Sequence, residues 1–321
     1  MPASSSQSDS IVRSSRMLRT ALGSDICQWL GQDDVLEVML NPDGRLWLDR
    51  LGEGLIDTGL ELGAAEAERI VRLVAHHVAV EAHANSPRVS AELPETGERF
   101  EGLLPPIVAA PSFAIRKPAI RAVTLGDYVE QGVMTPDQAR MLAAAVSGRR
   151  NILVGGATAS GKTTLANALL AELAERGERV VIIEDTVELR CPAPNTVAMR
   201  SKEGVASLTE LLRSTLRLRP DRIIIGEVRG PEALDLIKAW GTGHPGGVAT
   251  IHAGTAIGAL RRLEQLIAEA AVTVPRALIA DTVDVVAVLT GRGPARRLTE
   301  LARVQALHAG DYRLTPLGEV S

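Results

Sequence analysis

Residues Gly156-Ala157-Thr158-Ala159-Ser160-Gly161-Lys162-Thr163-Thr164 set two glycines, with four residues between them, ahead of a lysine and two hydroxyls. Glycines let backbone amides curl toward phosphate oxygens, a lysine after the second glycine reaches the β and γ phosphates, and Thr163 is placed to ligate Mg²⁺. The stretch lies between the apolar run Ile152–Val154 and the amphipathic "TLANALLAELAER". A strand before and a helix after are what this chemistry needs, because the helix N-terminus adds partial positive charge. The spacing predicts a nucleoside triphosphate site rather than a plain glycine-rich connection.

Acidic residues follow at two further strand ends. "RVVIIEDTVEL" closes on Glu184, Asp185 and then Glu188, and "RIIIGEVRG" closes on Gly226 and Glu227. In nucleotide hydrolases the second kind of strand commonly ends in an aspartate that holds Mg²⁺. With Gly226 in that place, the reading is that Glu184 or Asp185 supplies water-mediated Mg²⁺ contact, leaving Glu227 to orient or deprotonate the attacking water. Ordinary core strands ending in solvated acids are the alternative. "GTGHPGGVATIHAGT" adds His244 in a glycine-rich loop and His252 after a short apolar run. A histidine at a strand end beside a γ-phosphate can sense it by hydrogen bonding. A single histidine is more often structural, and no His, Cys and carboxylate spacing here suits zinc.

Alternating strand, helix and strand patterns from Ile152 onward predict a mainly parallel sheet covered by helices. Open parallel sheets bind ligands at the carboxyl ends of their strands, so the glycine loop and the acids should share one crevice. Upstream, "TPDQARMLAAAVSG" carries a nearly complete helix signature: Thr135 as N-cap, Pro136 in the first turn, Gln138 three residues after the cap, and Gly148 as stop. Val35–Leu40 and Arg45–Asp49 read as short strands joined by an Asn41-Pro42-Asp43-Gly44 turn, and Ile70, Val71, Val74 and Val78 share one helical face. The expected organisation is a disordered tail over 1–17, an α+β domain over 18–120, a linker over 121–135, and the nucleotide domain over 136–321.

Composition narrows the function classes. The 321 residues hold 35 Lys+Arg against 39 Asp+Glu, a formal net charge of -4, and aromatics are only 2%. That balance disfavours direct nucleic-acid binding, which needs positive charge and stacking platforms. Cys27 and Cys191 are far apart, match no metal spacing and read as reduced thiols of a cytosolic protein. No run approaches the roughly 20 apolar residues of a spanning helix.

Taken together, "GATASGKTT", "IIEDTVEL", "LRLRPDRIIIGEVRG" and "GTGHPGGVATIHA" resemble the Walker A, Asp box, Walker B and His box of the secretion traffic ATPases. The N-terminal "LEVMLNPDGRLWLDRLGEG" is most similar to the conjugal-transfer branch of that superfamily. The resemblance implies an α/β protein with a RecA-like P-loop core and a smaller α+β N-terminal domain. It implies a hexameric ring that hydrolyses ATP with Mg²⁺, in the cytoplasm and peripherally at the inner membrane, with secretion or conjugation components as partners. By the same resemblance Lys162 and Thr163 take the phosphate and Mg²⁺ roles, Glu184 and Asp185 are the Asp box acids, Glu227 is the base, and His252 lies near the γ-phosphate. Arg116 of "SFAIRKP" matches an arginine that in this family reaches the nucleotide from the N-terminal domain; unaided, it reads as the solvated end of an edge strand.

One departure is Ala159, where relatives usually have glycine; a left-handed backbone angle there would be strained. Arg213, Arg217 and Arg219 are candidates for a contact between subunits or for a solvated face. Alternatives to the motor are an ATP-binding switch with negligible turnover, a pilus-assembly ATPase of another branch, and a nucleic-acid translocase.

Overall fold

Runs that stay apolar over every residue and runs that alternate divide this chain, and the division follows its two folding units, Met1–Ile120 and Arg121–Ser321. The structure is a computed structural model that describes residues 5–50, 53–94, 96–117, 123–202 and 204–317.

In the first unit six antiparallel strands form one sheet in the order β3-β2-β1-β6-β5-β4. They are β1 (Val35–Leu40), β2 (Arg45–Arg50), β3 (Gly54–Glu61), β4 (Arg88–Glu92), β5 (Arg99–Leu103) and β6 (Ser112–Arg116). The β1–β2 turn is the expected one: Gly44 N–H donates to the Asn41 carbonyl at 3.0 Å, with Gly44 at φ +85°. Helix α2 (Ala64–His77) buries Ile70, Val71 and Val74 among Val38, Phe100, Phe113 and Ile115 of the sheet. Val78 falls at the helix C-cap and is half-buried. Helix α1 (Ser5–Leu30), bent at Gly23, adds Leu18, Leu22 and Ile26 to the same core. Residues 1–4 of the expected tail lie outside the described residues, and the chain is helical from Ser5.

The second unit is built on eight strands in the order β14-β13-β12-β7-β11-β10-β8-β9. Pairing is parallel from β12 (Val285–Thr290) through β7 (Ile152–Gly156), β11 (Val248–His252), β10 (Arg222–Val228) and β8 (Val180–Glu184) to β9 (Thr196–Arg200). Strands β13 (Arg297–His308) and β14 (Asp311–Pro316) add antiparallel pairs at one edge. Both faces are covered, which is why the central strands read as unbroken apolar runs. Leu153, Val181, Ile183, Ile223 and Ile225 pack on one side with α6 (Leu208–Thr215), α7 (Glu232–Gly241), α8 (Ala256–Ala268) and α9 (Arg276–Thr282). Ile152, Val154, Val180, Ile182 and Ile224 pack on the other with α3 (Leu125–Glu130), α4 (Pro136–Ser147) and α5 (Lys162–Ala171). This is the RecA-like α/β core.

Helix α4 has the predicted cap, with Gln138 N–H donating to Thr135 Oγ1 at 3.2 Å and Pro136 at its first turn. The segment expected as a linker is different in kind. Residues 121–122 lie outside the described residues, but α3 caps itself through Thr124 and Asp127, and Leu125, Tyr128, Val133 and Met134 are all buried in the second core. Its apolar residues span barely two turns, too few to show a helical period in sequence.

Candidate functional site

Strand β7 is buried over all five residues and delivers the loop 157–161 to the start of α5. Gly161 is the N-cap of α5 at φ +94° and provides no side-chain cap, so the first amides of the helix point into the loop. Lys162 is buried at 8% exposure and turns back over the loop, its Nζ donating to the Ala157 carbonyl at 3.1 Å. Burial lowers the Lys162 pKa, opposed by the charge of Glu227. Ser160 Oγ is buried and has no hydrogen-bond partner. Thr163 and Thr164 follow in the first turn of α5, both half-exposed. Ala159 sits at φ +63°, in the left-handed region, so the residue type there departs from what the backbone favours.

The acids arrive from the carboxyl ends of β8 and β10. Between Ile225 and Val228 the β10–β11 register shifts, an irregularity that takes in Gly226 and Glu227. Such bulges re-aim side chains beside functional sites. Glu227 Oε1 lies 3.7 Å from Lys162 Nζ, an ion pair joining the phosphate loop to β10. Gly226 has a packing reason to be glycine: a Cβ there would lie 3.0 Å from Cγ of Glu184. The space an aspartate would need is filled by the neighbouring strand's glutamate.

Glu184 and Asp185 do different things. Glu184 is only 3% exposed, and its Oε1 accepts from the backbone N–H of Glu188 at 2.9 Å and Leu189 at 2.8 Å, closing the turn after β8. Burial pushes its pKa up to about 7 against those two hydrogen bonds. Asp185 is more open and accepts from Arg229 Nη1 at 2.6 Å, while Arg229 Nε donates to Glu227 Oε2 at 2.6 Å. One guanidinium therefore ties the two half-buried acids together. Arg229 was missed in sequence although it stands two residues after Glu227, because nothing in the string shows that β8 and β10 are neighbours.

His252 ends β11 in register with Gly156, at the start of the phosphate loop, with an exposed side chain. His244 lies before β11, at the opposite ends of the strands, and its Nδ1 bonds the Pro220 carbonyl at 3.0 Å. It is a loop-anchoring residue. Arg213 pairs with Asp235 of α7 at 3.1 Å, while Arg217 and Arg219 are exposed. Arg116, in the first unit, ends β6 opposite Glu37 of β1 and Arg99 of β5.

The donor set suits Mg²⁺. Hard oxygens are present in the Thr163 hydroxyl and the Asp185 carboxylate, and among the described residues no group of three or more His, Cys, Asp or Glu could hold a metal alone. Mg²⁺ is bound in that way, by one or two protein oxygens together with substrate phosphates. Bound there, it would neutralise phosphate charge.

Residues 66–300 match the family model described as type II/IV secretion system protein. The chain is 48% identical over 301 residues to a probable conjugal transfer protein TrbB of Sinorhizobium fredii, covering 93% of this chain and 92% of the relative. It is 33% identical over 285 residues to the type IV secretion system protein VirB11 of Bartonella henselae, covering 76% and 79%. In fold it is similar to the pilus retraction motor PilT with bound ADP, at TM-score 0.60, 18% identity, and coverage of 92% and 83%.

Proposed function

Since the chain belongs to the type II/IV secretion system protein family, we propose that it is an ATP-hydrolysing motor of a type IV secretion or conjugal transfer system. It assembles as a homo-hexameric ring and powers pilus assembly or substrate export from the cytoplasmic side of the inner membrane. The observation that supports the reading most is the convergence of Lys162, at the start of α5, and Glu227, at the end of β10, 3.7 Å apart although they stand 65 positions apart in sequence. Ion-pairing across a phosphate loop is chemistry for a triphosphate rather than for packing.

In this site Lys162 and the open amides of α5 take the phosphates, and Thr163 with Asp185 would hold Mg²⁺. Glu227 orients the attacking water and takes its proton. Arg229 holds Glu227 in place through a 2.6 Å hydrogen bond. Glu184 positions the turn that carries Asp185. His252 takes the γ-phosphate sensing role, and Arg116 enters on family resemblance alone. Among the described residues no helix is long and apolar enough to cross a membrane, which is compatible with attachment through partners.

A switch that binds ATP with negligible turnover is the second reading, favoured by the left-handed Ala159. Steady-state ATP hydrolysis, measured across protein concentrations with mass determined in parallel, separates the two. The motor predicts turnover per chain that rises as the ring assembles; the switch predicts tight binding and no turnover at any assembly state.

A further inference from the structure

The loop after β12 brings to the phosphate loop a charge that no sequence motif announces. Strand β12 pairs with β7 in parallel, Leu289 opposite Gly156, on the side away from β11, β10 and β8 and their acids. A short 3-10 turn over Gly293–Ala295 follows, and Arg296 closes it, its N–H donating to the Gly293 carbonyl at 3.1 Å. The start of β13 is fixed from behind, since Leu298 N–H donates to the Val133 carbonyl and Gln138 Nε2 to the Leu298 carbonyl. Arg296 is thus held on rigid elements, not on a free loop.

Its guanidinium lies against Gly161. A Cβ added at Gly161 would lie 2.9 Å from both the Arg296 guanidinium carbon and Nε. Arg296 Nε is buried and has no hydrogen-bond partner, and the same holds for Ser160 Oγ in the loop and for Tyr128 Oη, whose pKa burial raises against the charge of Arg296. Unpaired buried donors are rare, and a cationic one beside a phosphate loop has its natural partner in an anion. The γ end of a triphosphate must face Lys162 and Glu227 on the β10 side. The other end then lies toward β12.

We propose that Arg296 is a nucleotide-binding residue whose guanidinium takes the α-phosphate, clamping the triphosphate from the side opposite the acids. The inference rests on the nucleotide site proposed above and adds its second cation.

The test is equilibrium binding of ATP and of inorganic tripolyphosphate to the full chain, as wild type, Arg296→Ala, Arg296→Lys and Lys162→Ala, with steady-state kinetics alongside. Arg296→Ala should weaken both ligands roughly 10- to 100-fold, the scale of a charge-assisted hydrogen bond. Arg296→Lys, which keeps charge but loses the planar fork, should fall between. KM for ATP should rise in step while kcat at saturation stays within about threefold, a split that general loss of structure would not produce. Should Arg296→Ala fail to fold, Arg296→Gln keeps a longer polar side chain without the charge and carries the same expectation. Wild-type affinities for both ligands in the Arg296 variants, with binding lost in Lys162→Ala, would overturn this inference alone. A loss confined to ATP, sparing tripolyphosphate, would also overturn it. Failure of the wild type to bind either ligand would overturn the nucleotide site itself.

Discussion

Ala159 holds φ +63°, and a Cβ in the left-handed region costs an L-residue roughly 1 kcal/mol that glycine does not bear. Part of that gain is offset because glycine also loosens the unfolded chain. Ala159→Gly should therefore raise unfolding stability by about 0.5 kcal/mol and leave ATP affinity equal or tighter, read by denaturant titration and equilibrium binding. A destabilised variant would contradict the strain. At this scale the sequence was legible where chemistry is contiguous: Gly156 to Thr164 lie in one string and fold as one strand end, loop and helix start. Arg229 and Arg296 were not legible, since each acquires its meaning from a strand neighbour, β8 in one case and β7 in the other. Gly226 lies between these cases. Its departure from aspartate was visible, but its cause, the Glu184 side chain filling that space, belongs to the packing of β8 on β10.

Strand β8 shows how one element separates two adjacent acids. Glu184 turns inward to cap the following turn, and Asp185 stays at the surface with Arg229. Because burial raises the Glu184 pKa from 4.5 to about 7, with Glu188 and Asp185 nearby adding to the rise, the folded state holds a proton that the unfolded state has released in that window. Stability from this group is thus greatest below about pH 4.5 and falls as pH rises to about 7, by up to roughly 3 kcal/mol. Glu184→Gln keeps an oxygen for the two backbone N–H groups and removes the titration. Thermal unfolding without nucleotide or metal should show a shallower pH slope between 4.5 and 7 in the variant, with its gain over wild type largest above pH 7; parallel profiles would contradict the assignment. Elements with local signatures were legible, α4 through its capping box and β7–α5 through the glycine loop. Helix α3 was not, because its buried face is short and its cap, Thr124 with Asp127, sits in a stretch without a period.

For the molecule as a whole, the two folding units are an antiparallel sheet with helices α1 and α2 and a parallel RecA-like core; the nucleotide-site residues other than Arg116 lie in the second. An alternation of strands and helices told the core's class in advance, while the ring, the membrane partners and the mechanical step have no local signature and are proposals that rest on family resemblance. The central claim is that ATP held by Lys162 is cleaved with Glu227 as the base. Its most direct test is single-turnover conversion of bound ATP to ADP by wild type and Glu227→Gln at concentrations where the assembled form dominates. The account predicts equal ATP affinity, rapid conversion by the wild type, and conversion slower by roughly 10²- to 10⁴-fold in the variant. Conversion at the wild-type rate in Glu227→Gln, or bound ATP left intact by the assembled wild type, would contradict it.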